Sequence, residues 1–465
     1  MVAPFAAAHA QVAAVGPASS TAPPVGTAPI RWPDVAFDPE HDVYLAVSGA
    51  GHIAGYWFSA DGAPLDRPFV IDAGAIFAQA PRVTYAEGAG FVVAWHETVP
   101  GDAVRIRARL VTYGAAPLPG SFDVSPLGTN WEMGAALAWS TTSGVLLIAW
   151  QSTMDTRIGA QRVSATGALL GAPIVVDPRA YYFRDPAIAY HAATDTFFVA
   201  YAGCVGTNDC FVDVQRVSAG TGALVGGPIE LDASIDAGYV PELAYSARSE
   251  DVLAVWHRRA AGGASFWSRL VSGDGTPSVD PVIVTDTLGS YDASSLAYAA
   301  LSGSFLFVTH GLTSQDVAIE LSAGGAPLNA PLDFGSASAG GNFNPRVAAN
   351  GARGEWLAVT SADFTALAAQ RFETRTRDPG GPLDGGASDA SAPALDAAIP
   401  RVDGAIPLDA TADDDAGRAH AIATGCGCRA GGAPHSAGVA GSIAWLLFSI
   451  FAARGGCRSA RRAIV

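Results

Sequence analysis

A five-residue segment that usually ends in an aromatic side chain recurs seven times along this 465-residue chain. Successive copies lie roughly 52 residues apart, and self-similarity at such a period is typical of repeat architectures. We call these copies the pentapeptides. They are PDVAF, PRVTY, AALAW, PAIAY, PELAY, SSLAY and PRVAA, which end at Phe37, Tyr85, Trp139, Tyr190, Tyr245, Tyr298 and Ala349. Internal repetition therefore constrains the fold more strongly than chain length does.

Each pentapeptide begins a module of four apolar runs. A turn rich in Gly, Ser or Asp separates it from a second run such as FVVAW, which indicates a β-hairpin. A third run such as RIGAQRVS and a short fourth run such as APIVVD follow. Four strands per module are typical of β-propeller blades, whereas the rungs of a β-helix are much shorter. The sequence therefore predicts an all-β protein, a seven-bladed β-propeller over residues 12–376, with a sandwich pair or an open solenoid as the alternative.

The two ends of the repeat array are expected to join. The last module stops after its third strand, near Phe372. A ring of blades has an exposed strand edge unless its ends pair with each other. Residues 11–18 lie just before the first module and can supply the missing strand. We therefore expect the N-terminal segment to complete the seventh blade.

Composition supports strands and narrows the range of partners. Lys is absent, whereas Gly, Pro, Val, Thr and aromatic residues are plentiful, which favours strands and turns over helices. The net charge is −16, and surfaces that bind nucleic acid need clustered Lys and Arg. The body shows no basic cluster of this kind. We expect no nucleic-acid partner, and membrane contact only through the C-terminal tail.

The segments outside the repeats are interpreted as targeting and spacer elements. Residues 1–11 end in Ala8-His9-Ala10, which has the form of a signal-peptidase site. This segment is either a truncated signal-peptide remnant or an Ala-rich N-terminus. Residues 377–424 are rich in Asp, Ala, Pro and Gly without periodicity, which predicts an extended linker.

The C-terminal residues 425–465 combine three features in a fixed order. Gly425-Cys426 comes first, and the uncharged apolar run 437–453 follows, which is slightly short for a membrane span. An arginine cluster then closes the chain, with Arg454, Arg458, Arg461 and Arg462. This order resembles the C-terminal sorting tag of exported myxobacterial proteins, often called MYXO-CTERM. An ordinary C-terminal transmembrane anchor is the alternative.

The resemblance to the sorting tag implies a cellular address. In proteins that carry this tag, the Cys after Gly is processed and lipid-modified, and Cys426 occupies that position. Sorting and processing machinery would then be a partner of the tail. Either interpretation of the tail predicts that the body is exported, at the outer surface or secreted, and anchored through the C-terminus.

One face of the predicted ring collects polar and aromatic residues. The first strand of a blade begins, and its second strand ends, at the same face, which we call the start face. Its candidate ligand-binding residues are His96, His257, His310, Trp131, Tyr182 and Arg184. Such side chains suit a glycan, a peptide or a partner protein. The three His can equally be repeat residues that satisfy hydrogen bonds at blade edges, and neither a metal site nor a cofactor is predicted.

Catalytic chemistry has weaker support in the sequence. Glu97, Glu132, Asp185 and Glu242 are the only candidates for the paired carboxylates of a glycoside hydrolase. No nucleophile elbow, phosphate-binding Gly loop or zinc-protease motif is present. The preferred hypothesis is a non-catalytic binding or structural protein of the cell surface. A secreted glycoside hydrolase or lyase on the same scaffold is the alternative.

Two cysteines of the body lie close together in the sequence. Cys204 and Cys210 flank a short Gly- and Asn-containing stretch, and a loop of this size can close as a disulfide in an oxidising compartment. The sequence predicts this disulfide, with two buried or free thiols as the alternative.

The sorting-tag interpretation makes a testable prediction. Because processing at Cys426 would remove the apolar run, the protein released from the cell surface should have an intact mass that excludes residues 437–465. Intact-mass spectrometry checks this. A released product that still ends at Val465 would contradict processing at Cys426.

Overall fold

The computed structural model describes residues 10–376 apart from fourteen short gaps. The gaps are 23–28, 74–75, 100–102, 115–119, 127–130, 154–155, 180–181, 206–208, 233–239, 261–262, 279, 289–292, 312–314 and 336–341. The chain divides into two units, Met1–Gly385 and Gly386–Val465, and every described residue belongs to the first. The predicted linker and sorting tag, including Cys426, and residues 1–9 of the possible signal remnant lie outside the described residues.

The described residues form 28 β-strands and one short 3₁₀ helix, Ala192–Thr194. Blades 1 and 2 contain β2 (Asp34–Asp38), β3 (Val43–Gly51), β4 (Ile53–Ser59), β5 (Phe69–Asp72), β6 (Ile76–Ala86), β7 (Gly90–Thr98), β8 (Val104–Val111) and β9 (Phe122–Asp123). Blades 3 and 4 contain β10 (Glu132–Ser140), β11 (Val145–Ser152), β12 (Arg157–Ser164), β13 (Leu169–Asp177), β14 (Tyr182–His191), β15 (Thr196–Val205), β16 (Asp209–Ser218) and β17 (Leu224–Asp232).

The remaining blades follow in the same order along the chain. Blades 5 and 6 contain β18 (Glu242–Ser246), β19 (Asp251–Ala260), β20 (Gly263–Ser272), β21 (Val282–Leu288), β22 (Ser294–Ala299), β23 (Ser304–His310), β24 (Asp316–Leu321) and β25 (Leu332–Phe334). Blade 7 contains β26 (Asn342–Asn350), β27 (Glu355–Ala362), β28 (Ala366–Thr376) and β1 (Ala10–Thr21). Within these ranges, no helix has both the length and the apolar character needed to cross a membrane.

The seven blades form a ring of antiparallel four-stranded sheets, as the repeat predicted. Within a blade, each strand pairs with the next along the chain, and in blade 7 β28 also pairs with the N-terminal β1. The first strands of neighbouring blades contact one another around the axis. A short additional pairing of β3 with β6 joins blades 1 and 2 into one continuous sheet. The prediction of a seven-bladed β-propeller is confirmed.

The N-terminal strand closes the ring, which confirms the predicted pairing of the two ends. β1 is the outermost strand of blade 7 and pairs antiparallel with β28, with Val12 opposite Thr374 and Val15 opposite Arg371. Val12 is buried in the apolar cluster between blades 6 and 7, together with Phe372. The side-chain amide of Gln370 donates to the carbonyl of Val15 at 3.2 Å.

The apolar core is divided into seven clusters, one between each pair of neighbouring blades. Successive side chains of a strand point to opposite faces of its sheet, so each blade packs against both neighbours. In β7, Phe91 and Trp95 pack against blade 1, whereas Val92 and Ala94 pack against blade 3. Burial on both faces explains why the second runs of the modules are continuously apolar rather than alternating.

A recurring β-bulge interrupts the first strands immediately before the pentapeptides. The residue before the pentapeptide has a positive φ in five blades, which are Trp32 (46°), Ala80 (45°), Gly134 (65°), Val240 (59°) and Asn344 (59°). The pairing register of the first strands shifts at this point in β6, β10 and β26. Pro follows in four of these five blades, because a bulge leaves a backbone N–H out of the ladder. The same backbone conformation therefore precedes the pentapeptides in at least these five blades.

Removal of β1 should open the ring. A chain that lacks residues 1–21 exposes the edge of β28 and loses Val12 from the last cluster. We expect its melting temperature to fall by at least about 5 °C and its light scattering to increase with concentration. Removal of residues 1–9 alone leaves β1 intact and is the matched control. Equal melting temperatures of the two truncated chains would contradict closure by β1.

Candidate functional site

The second residue of every pentapeptide lines one cavity on the ring axis, which we call the axial cavity. Its volume is about 200 Å³. The seven residues at this position are Asp34, Arg82, Ala136, Ala187, Glu242, Ser295 and Arg346, one from each blade. Four of them are charged, two of each sign. The axis of the propeller is thus a polar, charge-balanced cavity inside an apolar ring.

Arg346 connects three blades across the axial cavity. Its Nη1 atom donates to Oε1 of Glu242 in blade 5 at 2.8 Å and to the carbonyl oxygen of Ser294 in blade 6 at 2.5 Å. The side chains are 9% and 16% exposed for Arg346 and Glu242 respectively. This ion pair is therefore largely removed from solvent, where screening is weak.

Two other second-position side chains accept hydrogen bonds from the next blade along the chain. Oδ2 of Asp34 accepts a hydrogen bond from the backbone N–H of Val83 at 2.8 Å. The hydroxyl of Ser295 accepts one from the backbone N–H of Val347 at 3.2 Å. In both cases the donor is the third residue of the following pentapeptide. A polar second residue therefore links neighbouring first strands.

Burial changes the acidity of the groups around the axis. It raises the pKa of Asp34 and of Glu242, while Arg82 and Arg346 oppose this change. Burial and the charge of Arg82 together lower the pKa of His96 to about 4, so this imidazole is uncharged at neutral pH. The two carboxyl groups accordingly take up protons at a higher pH than ordinary Asp and Glu do.

A second concavity adjoins the axial cavity at the face that carries the hairpins between first and second strands. We call this face the hairpin face and the concavity, of about 440 Å³, the hairpin-face depression. The last residues of four consecutive pentapeptides line it, and they are Tyr85, Trp139, Tyr190 and Tyr245. Exposed Glu40, Glu87 and Thr141 add polar groups. Leu137, Ile188 and Leu243 line both cavities, so the two are continuous along the axis.

Local contacts hold the aromatic rings of the depression in position. The hydroxyl of Tyr190 donates to Oδ1 of Asp195 at 3.0 Å, and the same carboxylate accepts a hydrogen bond from Ser140 at 2.7 Å. Burial acts to raise the pKa of Asp195, but hydrogen bonds from Ser143, Ser140 and Tyr190 outweigh it and lower this pKa. The ring of Tyr245 lies 4.8 Å from that of His191. The depression therefore has a fixed shape before any ligand arrives.

The structure separates the residues that the sequence assigned to the start face. Trp131 is 43% exposed there. His96 is partly buried, and Nδ1 of His310 lies 3.0 Å from Oδ1 of Asp316. His257 is fully buried and packs edge to face on Phe266, so it is not part of the accessible surface. The three His are therefore not equivalent.

Three of the predicted start-face residues are described only in part. Tyr182, Arg184 and Asp185 belong to β14, where Tyr182 pairs with Cys204, but their side chains lie outside the described part of the structure. Ligand binding by Tyr182 and Arg184, and catalysis by Asp185, stay predictions.

The candidate catalytic carboxylates bind different partners in different blades. Oε1 of Glu97 accepts hydrogen bonds from Arg105 at 2.8 Å and from Arg107 at 3.3 Å. Glu132 begins β10 and is 2% exposed. Glu242 lies on the axis with Arg346. Glu97 and Glu242 thus serve as ion-pair partners within separate parts of the ring.

The predicted disulfide is confirmed. Cys204 and Cys210 are bonded to each other, with their Cα atoms 4.0 Å apart, and they are opposite residues of β15 and β16. Both are buried. Elsewhere in the described ranges, no group of three or more His, Cys, Asp or Glu residues is arranged to hold a metal ion.

Sequence reasoning missed the axial cavity and the hairpin-face depression, although the signal was present in the pentapeptides. Their second letters read D, R, A, A, E, S and R, and their last letters are aromatic in six copies. The charges do not recur from blade to blade, so they do not serve a shared packing role. Variation at one position of a regular repeat was the available signal.

Comparison with known proteins adds information about the fold. No protein-family model and no curated protein matches this sequence. Among solved structures, the lectin BP39L from Burkholderia pseudomallei is similar, with 11% sequence identity, 74% of this chain and 96% of that chain covered, and a TM-score of 0.55. A sialidase from Trypanosoma rangeli shows 12% identity over 68% of this chain and 57% of that chain, with a TM-score of 0.44.

A further solved structure is a β-propeller domain. It is the Cps50 (Swd1) domain from Myceliophteria thermophila, with 10% identity, 76% and 99% of the two chains covered and a TM-score of 0.48. At identities this low, the likeness concerns the fold.

The buried ion pair on the axis should matter more for stability than an exposed one. Replacement of Arg346 by Ala leaves Glu242 without its cation in a largely desolvated place, which typically costs about 3 to 5 kcal/mol. Arg353 pairs with Asp61 at the surface, where its side chain is 38% exposed, and such pairs contribute about 0 to 1 kcal/mol. Urea unfolding of R346A and of R353A measures both effects, and equal losses would contradict the assignment.

Proposed function

We propose that this protein is a non-catalytic binding β-propeller that recognises carbohydrate in the hairpin-face depression. The observation that carries the proposal is that four aromatic side chains, from blades 2 to 5, line one concavity of about 440 Å³. This volume lies in the range of small-molecule sites. The depression is therefore large enough for one or two sugar residues.

The chemistry of the lining suits a sugar. A pyranose has an apolar C–H face and a rim of hydroxyl groups. Tyr and Trp offer an apolar ring with a polar atom at its edge, which matches both parts of a sugar. The carboxylates of Glu40 and Glu87 are acceptors for sugar hydroxyls, and the hydroxyl of Thr141 both donates and accepts. Carboxylates at the rim also disfavour anionic polymers.

Pre-organisation supports binding in this depression. Tyr190 is held by Asp195, and Tyr85 packs edge to face against Phe91 with 5.5 Å between ring centroids. A ligand that meets rings already in place loses less conformational entropy on binding. The lectin BP39L has the same fold, and the proposal assigns a sugar-binding role of that general class to this chain.

The alternative of a glycoside hydrolase or lyase has less support from the contacts. A catalytic pair needs two carboxyl groups that face one substrate bond. Glu97 is bound by Arg105 and Arg107, and Glu242 by Arg346. A carboxylate that serves as an ion-pair partner is poorly placed to transfer a proton to a sugar oxygen.

Export belongs to the same proposal. A disulfide such as Cys204–Cys210 persists in oxidising compartments outside the cytoplasm. We propose that the propeller is displayed at the outer surface, that residues 377–424 act as a spacer, and that sorting machinery processes the tail at Cys426. The depression would then meet glycans of the cell's surroundings.

Mutation of an aromatic residue in the hairpin-face depression tests the carbohydrate proposal. The full chain is applied to a glycan array, and the best ligand is titrated by calorimetry. W139A should weaken binding at least about fivefold because loss of one stacking ring removes about 1 kcal/mol or more. E87A changes only the exposed rim and should weaken binding about two- to fivefold.

A control variant on the opposite face completes this test. W131A removes an exposed Trp of the start face and should leave the affinity unchanged. Loss of binding in W131A but not in W139A would contradict the proposed location. A chain that binds no glycan but hydrolyses one would favour the hydrolase instead.

A further inference from the structure

The axial cavity contains an arginine whose hydrogen-bonding capacity is only partly used. Both hydrogen bonds of Arg346 involve Nη1, which donates to Glu242 and to the carbonyl of Ser294. Its Nε is buried and has no hydrogen-bond partner among the described residues. The residue is 7% exposed. A buried donor without a partner is costly, so an acceptor that reached this atom would be stabilising.

Nε forms one edge of the Arg346 guanidinium together with Nη2, for which the described residues show no hydrogen bond. Nε and Nη2 lie side by side, and this pair of donors matches the two oxygens of a carboxylate in a bidentate arrangement. Arg82 lines the same cavity from blade 2. Two cations from different blades therefore contribute to one cavity of about 200 Å³.

The remaining charges of the cavity are both carboxyl groups. Asp34 is near Arg82 and Arg346, and Glu242 is near both arginines and Asp34. The other lining residues, among them Ala136, Leu137 and Ser295, carry no charge. The cavity is thus neutral when both carboxyl groups are ionised. It gains one positive charge when either takes up a proton.

We propose that the axial cavity binds a small monocarboxylate, with the guanidinium of Arg346 as its principal contact and Arg82 as a second cation. This proposal does not depend on carbohydrate binding, although the axial cavity and the hairpin-face depression are continuous. A singly charged anion matches the single positive charge that appears on protonation of Glu242 or Asp34. The small volume limits the ligand to a carboxylate with a short substituent.

The affinity should depend on pH in a defined direction. Burial raises the pKa of Glu242 and of Asp34, so these groups protonate at a higher pH than ordinary carboxyl groups. As the pH falls through the raised pKa values of Glu242 and Asp34, these carboxyl groups become neutral. An added anion beside the arginines is then repelled less. His96, near Arg82, has its pKa lowered to about 4 and stays uncharged over the same range. Binding should therefore strengthen on acidification.

Trifluoroacetate is a suitable probe because it stays ionised and reports binding by ¹⁹F NMR. The full chain is titrated with trifluoroacetate at about pH 5.5 and at about pH 8. Chloride is used to keep the ionic strength constant throughout. We expect roughly tenfold tighter binding at the lower pH. Equal affinity at both pH values, or no binding at either, would overturn the proposal.

Substitution of Glu242 gives the sharpest test because the expected change is a gain. E242Q keeps an acceptor oxygen for Arg346 but removes a negative charge, so binding at about pH 8 should strengthen roughly tenfold. E355Q makes the same change in blade 7, where Glu355 pairs with Arg371 rather than lining the cavity. It should bind as the wild type does.

Removal of the cation tests the contact itself. R346M retains the length of the side chain without its charge, and it should reduce affinity at least about tenfold at about pH 5.5. If R346M does not fold, E242Q still decides the question, because a purely structural Glu242 would not increase anion binding on substitution. Identical affinities of wild type, E242Q and E355Q at about pH 8 would overturn the proposal.

Discussion

Packing between neighbouring blades is the interaction on which the rest of this structure depends. Each sheet is buried on both faces, and seven apolar clusters fill the seven spaces between blades. An open array would leave the outer face of blade 1 and that of blade 7 exposed to water. Closure buries both in the cluster that contains Tyr44 and Leu357, and β1 pairs with the last edge. Apolar burial therefore requires a ring, and the ring creates an axis.

Charged side chains that do not fit the apolar spaces between blades lie on the axis of the ring. The second residue of each pentapeptide points into a shared central space, whatever its chemical type. Asp34 and Ser295 use this position to bond the next blade, and Arg346 uses it to join blades 5, 6 and 7. Because Arg346 and Glu242 are largely buried, an unpaired charge there is costly. The cavity contains two arginines and two carboxyl groups. The last residue of the pentapeptide, at the hairpin face, forms the aromatic depression instead.

The fold was predictable because its signal is repeated seven times. Strand order, blade number and closure by the N-terminal strand all followed from the spacing of the pentapeptides. Individual side chains were harder to place, since the second strands are buried on both faces and their apolar run does not reveal which side any residue faces. His257 lies within such a strand and is fully buried, whereas His310 at the corresponding place is partly exposed.

The axial contacts could not be read from the sequence for a different reason. Glu242 and Arg346 are more than one hundred residues apart, and only ring closure brings them to 2.8 Å.

The central claim is that the hairpin-face depression binds carbohydrate. A crystal structure of the full chain with its best glycan tests this most directly. The account predicts sugar density against Trp139 and Tyr190, and density against Trp131 at the start face would contradict it.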